Sequence, residues 1–548
     1  MTASLNIVPL GGLGEIGKNM MSVEYGRNIL IVDAGIMFPE ASMPGVDYII
    51  PDWEYLRDKQ DLVRAVVITH GHQDHIGALP HFLQEFDVPI YATRLTRGLI
   101  EARLKQRHML EKTTLHTMAP GDIIRIGPFT VEPYHVCHSI PDAVGLGITT
   151  PAGLVVHSGD FKIDHTPVDG RPTDYAKLAE FGARGVLALL SDSTNAEQAG
   201  TTPSEASLND AFHQIMRDAS GRLIVATFAS LISRIQQVID VARQHGRKVA
   251  IAGRSMVENT QIARELGVLD VPDDVLIGLG EIERLPAHQV LILATGSQGE
   301  PMAVLSRLAA GTHDSLRIQK GDTVVLSSHT IPGNEEMTQG VINLLFERGA
   351  DVYYDPIASV HVSGHAGQED QKWLINVLHP RFFVPIHGEL RHLEQHAKTA
   401  RAVGIPDESI AVVQNGYVLT LNGRLQVGER VPGGYVFVDG ALVGEVGPRV
   451  IREREALSEN GFVTVAARYD RRAGQLVGQP RILTGGFVYA PESGDLLDRA
   501  QDVIRSAGSV KPGTAPEKVE EKVERALAQF FYRETRRNPV VRSAVMDG

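Results

Sequence analysis

The chain has 548 residues, of which 43% are hydrophobic and 22% charged, and its formal net charge is -13. That length exceeds a single core and predicts two to four domains, and the acidic total weighs against a nucleic-acid ligand, although bound divalent cations or a local basic groove would offset it. No apolar run approaches the roughly 20 residues of a membrane helix, the start MTASLNIVPLGGLGEIG has no basic region followed by an apolar stretch, and the lone Cys137 excludes an intrachain disulfide and a multi-cysteine zinc site, so the cytoplasm is the expected compartment.

In chain order, residues 1 to about 200 alternate short β-rich runs with turn signals. The runs are 28–32 (NILIV), 65–69 (AVVIT), 130–134 (TVEPY) and 153–157 (GLVVH), which fits a layered α/β domain built around sheets. The glycine-rich stretch 10–19 (LGGLGEIGKN) is weak as a phosphate-binding fingerprint and is expected to form a tight turn beside the functional site. From about 205 to 360, runs at 223–227, 248–251, 290–294 and 323–327 are separated by helix-length segments, the rhythm of βαβ units on a parallel sheet. A helical stretch after 366 leads to a strand at 382–386 and then to His387. Residues 431–440 (VPGGYVFVDG) mark a boundary. Beyond 451, strand signals at 462–466 and 482–483 precede a charged helix over about 516–537. Its Val519, Val523, Ala526, Leu527, Phe530 and Phe531 recur near a period of 3.6 and must bury against a small sheet or another subunit.

The densest chemical signal is residues 69–75 (THGHQDH), directly after an apolar run. A tight loop with three imidazoles and one carboxylate can place two ligands on each of two neighbouring metal ions. These are ligand types that zinc and manganese accept. A polar loop that is His-rich by chance is the alternative, and with 21 histidines in 548 residues such density is improbable.

H-x-H-x-D-H after a strand is similar to the signature of the metallo-β-lactamase superfamily. The rest of that pattern follows, with His138 in 134–142 (YHVCHSIPD) and Asp160 in 156–162 (VHSGDFK). The resemblance implies that His70, His72 and His138 hold one metal ion, that Asp74, His75 and a late histidine hold another, and that Asp160 bridges the two. Asp33, in 31–35 (IVDAG), matches the aspartate that orients the ligand loop from behind. If 134–138 is extended, Cys137 points away from His138 and reads as a packed thiol. His135 and His157 read as core or supporting groups.

Later motifs choose a subfamily. Residues 189–195 (LLSDSTN), 361–366 (HVSGHA) and 385–389 (PIHGE) resemble motifs A, B and C of the β-CASP nucleases, carried by Asp192, His365 and His387, and His387 then becomes the last metal ligand. Stretches 10–19, 226–230 (ATFAS), 294–301 (ATGSQGEP), 331–334 (IPGN) and 485–489 (GGFVY) resemble the ribonuclease J family. The fold implied is α/β: a metallo-β-lactamase αββα sandwich with an inserted β-CASP α/β domain and a small C-terminal α/β domain. Its expected division is 1–204 for the first part of the sandwich, 205–365 for the insertion, 366–432 for the completion, 433–460 for a linker and 461–548 for the C-terminal domain.

This resemblance implies a ribonuclease with two divalent ions per subunit, zinc or manganese, acting as a 5′-to-3′ exonuclease and endonuclease in RNA maturation and mRNA decay. His365, Asp192 and Asp160 would be the catalytic groups, with His365 protonating the leaving oxygen and Asp192 orienting it. His361, Val362, Ser363, Gly364 and His365 would cradle the terminal phosphate of 5′-monophosphorylated RNA. Gly45, Asp47 and Asp439 match places where relatives hold a structural cation, with calcium suited to such oxygen donors and solvated loop carboxylates the alternative. A homodimer, associating further to a tetramer, is expected, with the C-terminal domain contributing to it, as are RNA-degradation complex proteins; no membrane partner is. The arginines at 533–542 read as a solvated surface rather than an RNA contact. A DNA nuclease or a purely endonucleolytic enzyme is the alternative. A non-catalytic scaffold would be expected to have lost ligands, and here all are present.

Overall fold

The computed structural model describes residues 4–40, 42–300, 302–331, 334–488 and 494–547. Pro301, Pro332, Gly333 and Tyr489, which belong to the motifs above, lie outside the described residues. The chain divides into two compact units, residues 1–38 with 49–435 and residues 39–48 with 436–548.

In the first unit, two mixed sheets form the centre of a sandwich. One has eight strands in the order Leu425–Arg430, Tyr417–Leu421, Leu5–Gly11, Met20–Tyr25, Asn28–Val32, Val63–Val67, Ile90–Ala92 and Leu115–Thr117. The other has six, in the order Phe382–Ile386, Val186–Asp192, Gly153–His157, Val144–Thr150, Phe129–His135 and Ile124–Ile126. Their inner faces share one core, with Leu5, Val23, Leu30 and Val67 from the first meeting Val131, Leu146, Val155 and Leu190 from the second. Alternation along the strands supplies this face. A second apolar layer lies under the helices Tyr175–Arg184 and Gln368–Leu378, through Leu178, Phe181, Leu374 and Leu378.

Between Val186–Asp192 and Phe382–Ile386 the chain makes a further six-stranded sheet, all parallel, in the order Leu276–Ile277, Lys248–Ala252, Val290–Ala294, Leu223–Ala226, Thr323–Leu326 and Asp351–Tyr353. Leu223–Ala226 and Val290–Ala294 are buried along their whole length, as strands covered on both faces must be.

Strand register brings the chemistry together. Val32 lies beside Val67 in a parallel pair, so Asp33 and Thr69–His70 leave the sheet side by side. His157 lies beside Leu190, and Asp192 beside Ile386, both in parallel pairs, so Asp160, Asp192 and His387 emerge at adjacent strand ends of the other sheet.

In the second unit, Gln475–Gly485, Phe462–Asp470 and Val540–Asp547 form a sheet packed on the helices Gly494–Ala507 and Pro516–Thr535. Val519, Val523, Leu527, Phe530 and Phe531 bury within this unit, so the predicted apolar helix face is covered by its own small sheet. Residues 433–460, expected as a linker, instead carry the strand Tyr435–Asp439 and the helix Pro448–Asn460. Among the described residues no helix is long and apolar enough to cross a membrane.

Candidate metal centre

His70, His72, Asp74 and His75 follow the strand Val63–Val67. They do not all lie on a loop as expected: Gln73–Ile76 form one helical turn that carries Asp74 and His75. The turn sits tight against Gly35, where a Cβ would come within 1.6 Å of the Asp74 carbonyl oxygen.

Two donor clusters result. His70 Nε2 and His138 Nε2 each lie 3.1 Å from His72 Nδ1. Asp74 Oδ2 lies 3.4 Å from His75 Nε2 and 3.3 Å from His387 Nε2. One oxygen, Asp160 Oδ2, is common to both, at 3.6 Å from His70 and 3.8 Å from His138 on one side and 3.2 Å from His75 and 3.6 Å from His387 on the other. Ligands at 2.0–2.1 Å from a tetrahedral zinc ion stand about 3.3 Å apart, so both clusters have the spacing and donor chemistry of metal sites. All seven side chains predicted as ligands are brought together.

Three of the imidazoles are held from behind. His75 Nδ1 donates to Asp33 Oδ2 at 2.8 Å, which turns Nε2 toward the cluster. Asp33 also accepts the Thr69 N–H and hydroxyl at 2.8 Å each. His138 Nδ1 donates to the Gly364 carbonyl at 2.8 Å. Thr194 gives its hydroxyl proton to Asp192 Oδ1 at 2.8 Å and can accept from His387 Nδ1 at 2.6 Å. Such supports fix tautomer and ring angle. Asp33 and His387 sit at φ of +61° and +53°, a backbone cost that non-glycine residues carry mainly where surrounding structure imposes it.

Electrostatics separate the two clusters. Burial pushes His70 and His138 well below the ordinary imidazole range and His72 down to about 4, so all three are bare nitrogen donors at neutral pH. Burial also acts against charge on His75 and His387. There the carboxylates outweigh it, Asp160 first, lifting His75 well above its usual value and His387 to about 9. A field that draws protons onto these rings is one that two dications would satisfy.

His365 lies over the clusters, its ring centre 5.0 Å from that of His138 and 5.5 Å from that of His387. Its Nδ1 donates to Asp192 Oδ2 at 2.7 Å. Burial opposes its protonation, and Asp192 overcomes this and raises its affinity for a proton. His361 to His365 form a short segment against His138 and Ser139: a Cβ on Gly364 would touch both. Within it the His365 N–H donates to Ser363 Oγ at 3.2 Å, Val362 is buried, and His361 Nδ1 is buried without a hydrogen-bond partner.

Cys137 is a buried thiol with Sγ 3.5 Å from the Arg171 carbonyl oxygen, and burial pushes its pKa up. His135 Nε2 donates to Arg171 O, while His157 Nδ1 accepts from the Gly159 N–H. The glycine-rich stretch is a turn beside the late ligand: Leu13–Gly14 pair with Gly388–Glu389, and Gly12, at φ +88°, accepts the Gly388 N–H at its carbonyl. Gly45, Asp47 and Asp439, expected around a structural cation, lie near one another in the second unit, together with an arginine. Arg454 pairs with Asp439 Oδ2 at 2.6 Å and reaches the Pro44 carbonyl at 3.3 Å, and Asp47 Oδ2 accepts the Gly440 N–H at 2.7 Å.

Asn19 was not singled out from the sequence. Its N–H donates to the Asp74 carbonyl at 2.9 Å, and its Nδ2 lies 3.3 Å from Asp74 Oδ2 and 3.1 Å from His75 Nε2. Its place in the motif at 10–19 was the only signal.

The sandwich, the paired clusters and the inserted parallel sheet define a metal-dependent hydrolase of the metallo-β-lactamase fold. Family models agree along the chain: a beta-lactamase superfamily domain matches residues 27–177, the ribonuclease J beta-CASP domain 220–345, a Zn-dependent metallo-hydrolase RNA specificity domain 349–410 and the ribonuclease J C-terminal domain 449–548. The chain is 46% identical over 490 residues to ribonuclease J of Synechocystis (89% of this chain, 76% of that one). It is 40% identical to ribonuclease J2 of Bacillus subtilis (100% and 99%) and 43% identical to ribonuclease J of Thermus thermophilus (99% and 95%). The chain therefore belongs to the ribonuclease J family, whose members are metal-dependent ribonucleases. A crystal structure of a protein of unknown function from Enterococcus faecalis V583 shares the fold, with a TM-score of 0.55 at 16% identity, over 76% of this chain and all of that one.

Proposed function

We propose that this ribonuclease hydrolyses RNA phosphodiesters to leave 5′-phosphates, working both 5′-to-3′ from an end and internally. The observation that carries the reading is the single oxygen of Asp160 shared by two donor clusters, with the His365–Asp192 pair set over them. His70, His72 and His138 would hold one divalent ion, and Asp74, His75 and His387 the other, zinc or manganese, with Asp160 common to both. When bound, two such ions activate water at neutral pH and offset the charge that develops on phosphate.

His365 presents Nε2 to the site because its Nδ1–H is donated to Asp192, and Nε2 protonates the leaving 3′ oxygen. The amides of residues 361–365 and the Ser363 hydroxyl cradle a 5′-terminal phosphate, which favours monophosphorylated ends. RNA maturation and mRNA decay in the cytoplasm, beside proteins of an RNA-degradation complex, suit such an activity. A homodimer able to form a tetramer is part of the proposal, supported by exposed Phe462, Val477, Leu483 and Met546 in the C-terminal sheet. Light scattering that finds a monomer at micromolar concentration refutes it.

The activity is tested with 5′-labelled RNA and DNA of one sequence, carrying 5′-monophosphate or 5′-hydroxyl ends. Release of 5′-mononucleotides from monophosphorylated RNA, and little from DNA, is expected. Equal cutting of DNA would move the assignment to a DNA nuclease.

A further inference from the structure

A buried chain of charged groups lies behind the centre, outside the residues given roles above. Lys162 is two residues beyond Asp160, and its N–H donates to the Cys137 carbonyl at 2.8 Å, which ties it to the segment that delivers His138. Its ammonium donates to the Pro203 carbonyl at 3.3 Å and Glu205 Oε1 at 3.4 Å, with Asp164 Oδ2 at 3.6 Å. Glu205 opens the turn Glu205–Leu208 leading into the inserted sheet domain, and its own N–H donates to Asp164 Oδ2 at 3.0 Å. The second carboxylate oxygen, Oε2, accepts from Arg234 at 2.6 Å. Arg234, on the helix Ile232–Gln244, directs its other donors to Gln237 Oε1, Ser327 Oγ and the Val360 carbonyl, the last at 3.1 Å. Ser327 Oγ donates to the same carbonyl at 2.6 Å. Lys162, Glu205, Arg234, Ser327 and Val360 are each 4% exposed or less.

The chain of bonds therefore runs from two residues past the shared Asp160 to the residue before His361. Two cations face two carboxylates, so the group is neutral and its members are hydrogen-bonded. Buried ion networks are weak evidence for stability, because apolar residues of similar volume often serve a core as well. What a fully satisfied network does fix is geometry. Only a guanidinium suits the central position: four bonds leave it in a fixed planar fork, which an ammonium cannot reproduce.

We propose that Arg234 and Glu205 are positioning residues, which set the 361–365 segment against the metal ligands by anchoring the Val360 carbonyl to the Asp160 segment. The substrate consequence rests on reading that segment as the terminal-phosphate cradle. In the full-length, metal-loaded protein, Arg234→Lys keeps the charge and removes the fork, and Ser327→Ala removes one of the two donors to Val360 as a milder change. The measurements are kcat and KM on RNA with 5′-monophosphate and with 5′-hydroxyl ends, hydrogen exchange of the peptide spanning 358–366, and metal content.

With metal content unchanged, Arg234→Lys should lose about tenfold more kcat/KM on the monophosphorylated end than on the hydroxyl end, chiefly through KM, the scale of one lost charge-assisted hydrogen bond. Exchange in the 358–366 peptide should rise while that around residues 70–75 does not. Ser327→Ala should move both readouts in the same direction by less, and it decides the matter if Arg234→Lys does not fold. Equal losses on both ends with unchanged exchange overturn the proposal. A wild-type enzyme indifferent to its 5′ end would sink the cradle reading alone, and the exchange experiment would still settle the positioning role.

Discussion

Asp33→Asn tests how much one hidden carboxylate contributes to metal binding. Asp33 is 2% exposed, and all three groups facing it are donors: the Thr69 N–H, the Thr69 hydroxyl and His75 Nδ1, each at 2.8 Å. Of these groups as they stand, only the Thr69 hydroxyl oxygen can accept from an asparagine NH2. Placed at Oδ1 it meets the Thr69 amide, which cannot give up its proton. Placed at Oδ2 it can give one proton to the Thr69 hydroxyl oxygen, and its other meets His75, which can move its proton from Nδ1 to Nε2. The second arrangement is the less costly, and it blocks the nitrogen that must face the metal ion. Loss of such support lowers metal affinity about 10–100-fold, or about 1.4–2.8 kcal/mol at 25 °C. Purified Asp33→Asn protein equilibrated with buffered free zinc or manganese, with metal per chain measured and far-UV circular dichroism as a check on folding, should show one of its two affinities weakened by that amount. A folded variant with both affinities unchanged would refute the argument that Asp33 sets the His75 tautomer.

Three further outcomes are expected. His75→Ala should bind one ion fewer and lose RNA cleavage with its circular dichroism preserved; full activity in a metal-analysed preparation would sink the two-ion assignment. His365→Ala should lower turnover by about 10²–10⁴-fold, the usual range for a lost proton donor, with RNA affinity nearly unchanged, whereas weakened binding at normal turnover would make it a binding residue only. Gly35→Ala drives a Cβ to 1.6 Å from the Asp74 carbonyl and 2.5 Å from the His75 nitrogen, so the ligand turn must shift. A lower melting temperature and released metal should follow, since overpacking costs about 1–3 kcal/mol, and a wild-type melting curve with full metal content would show that the turn adapts.

What could be read from the sequence was what lies close together in it. The ligand motif at 69–75 concentrates four side chains in one short stretch, and the strands Asn28–Val32, Gly153–His157, Val290–Ala294 and Phe382–Ile386 were predicted to the residue because turn signals bound their apolar runs. Groups that act across long separations were harder to read. Asn19 meets Asp74 55 residues away, and Thr194 meets His387 193 residues away; each is a common polar side chain whose partner only the fold supplies. Arg454 at the expected cation loops was missed for the same reason, since a carboxylate's partner is not written beside it. The segment 39–48 clusters with the C-terminal unit rather than with its sequence neighbours, and periodicity carries no information of that kind.

The hydrogen bond from His138 Nδ1 to the Gly364 carbonyl joins a metal ligand to the segment that would receive RNA. Where occupancy at one place alters the free energy of occupancy at the other, the coupling is reciprocal. If an ion on His138 stiffens that bond and improves the reception of a phosphate, a phosphate at 361–365 must raise the affinity for the ion by the same factor. A nuclease coupled in this way would hold its metal more firmly while engaged on a transcript than while searching for one, and chelators would strip it most readily between substrates.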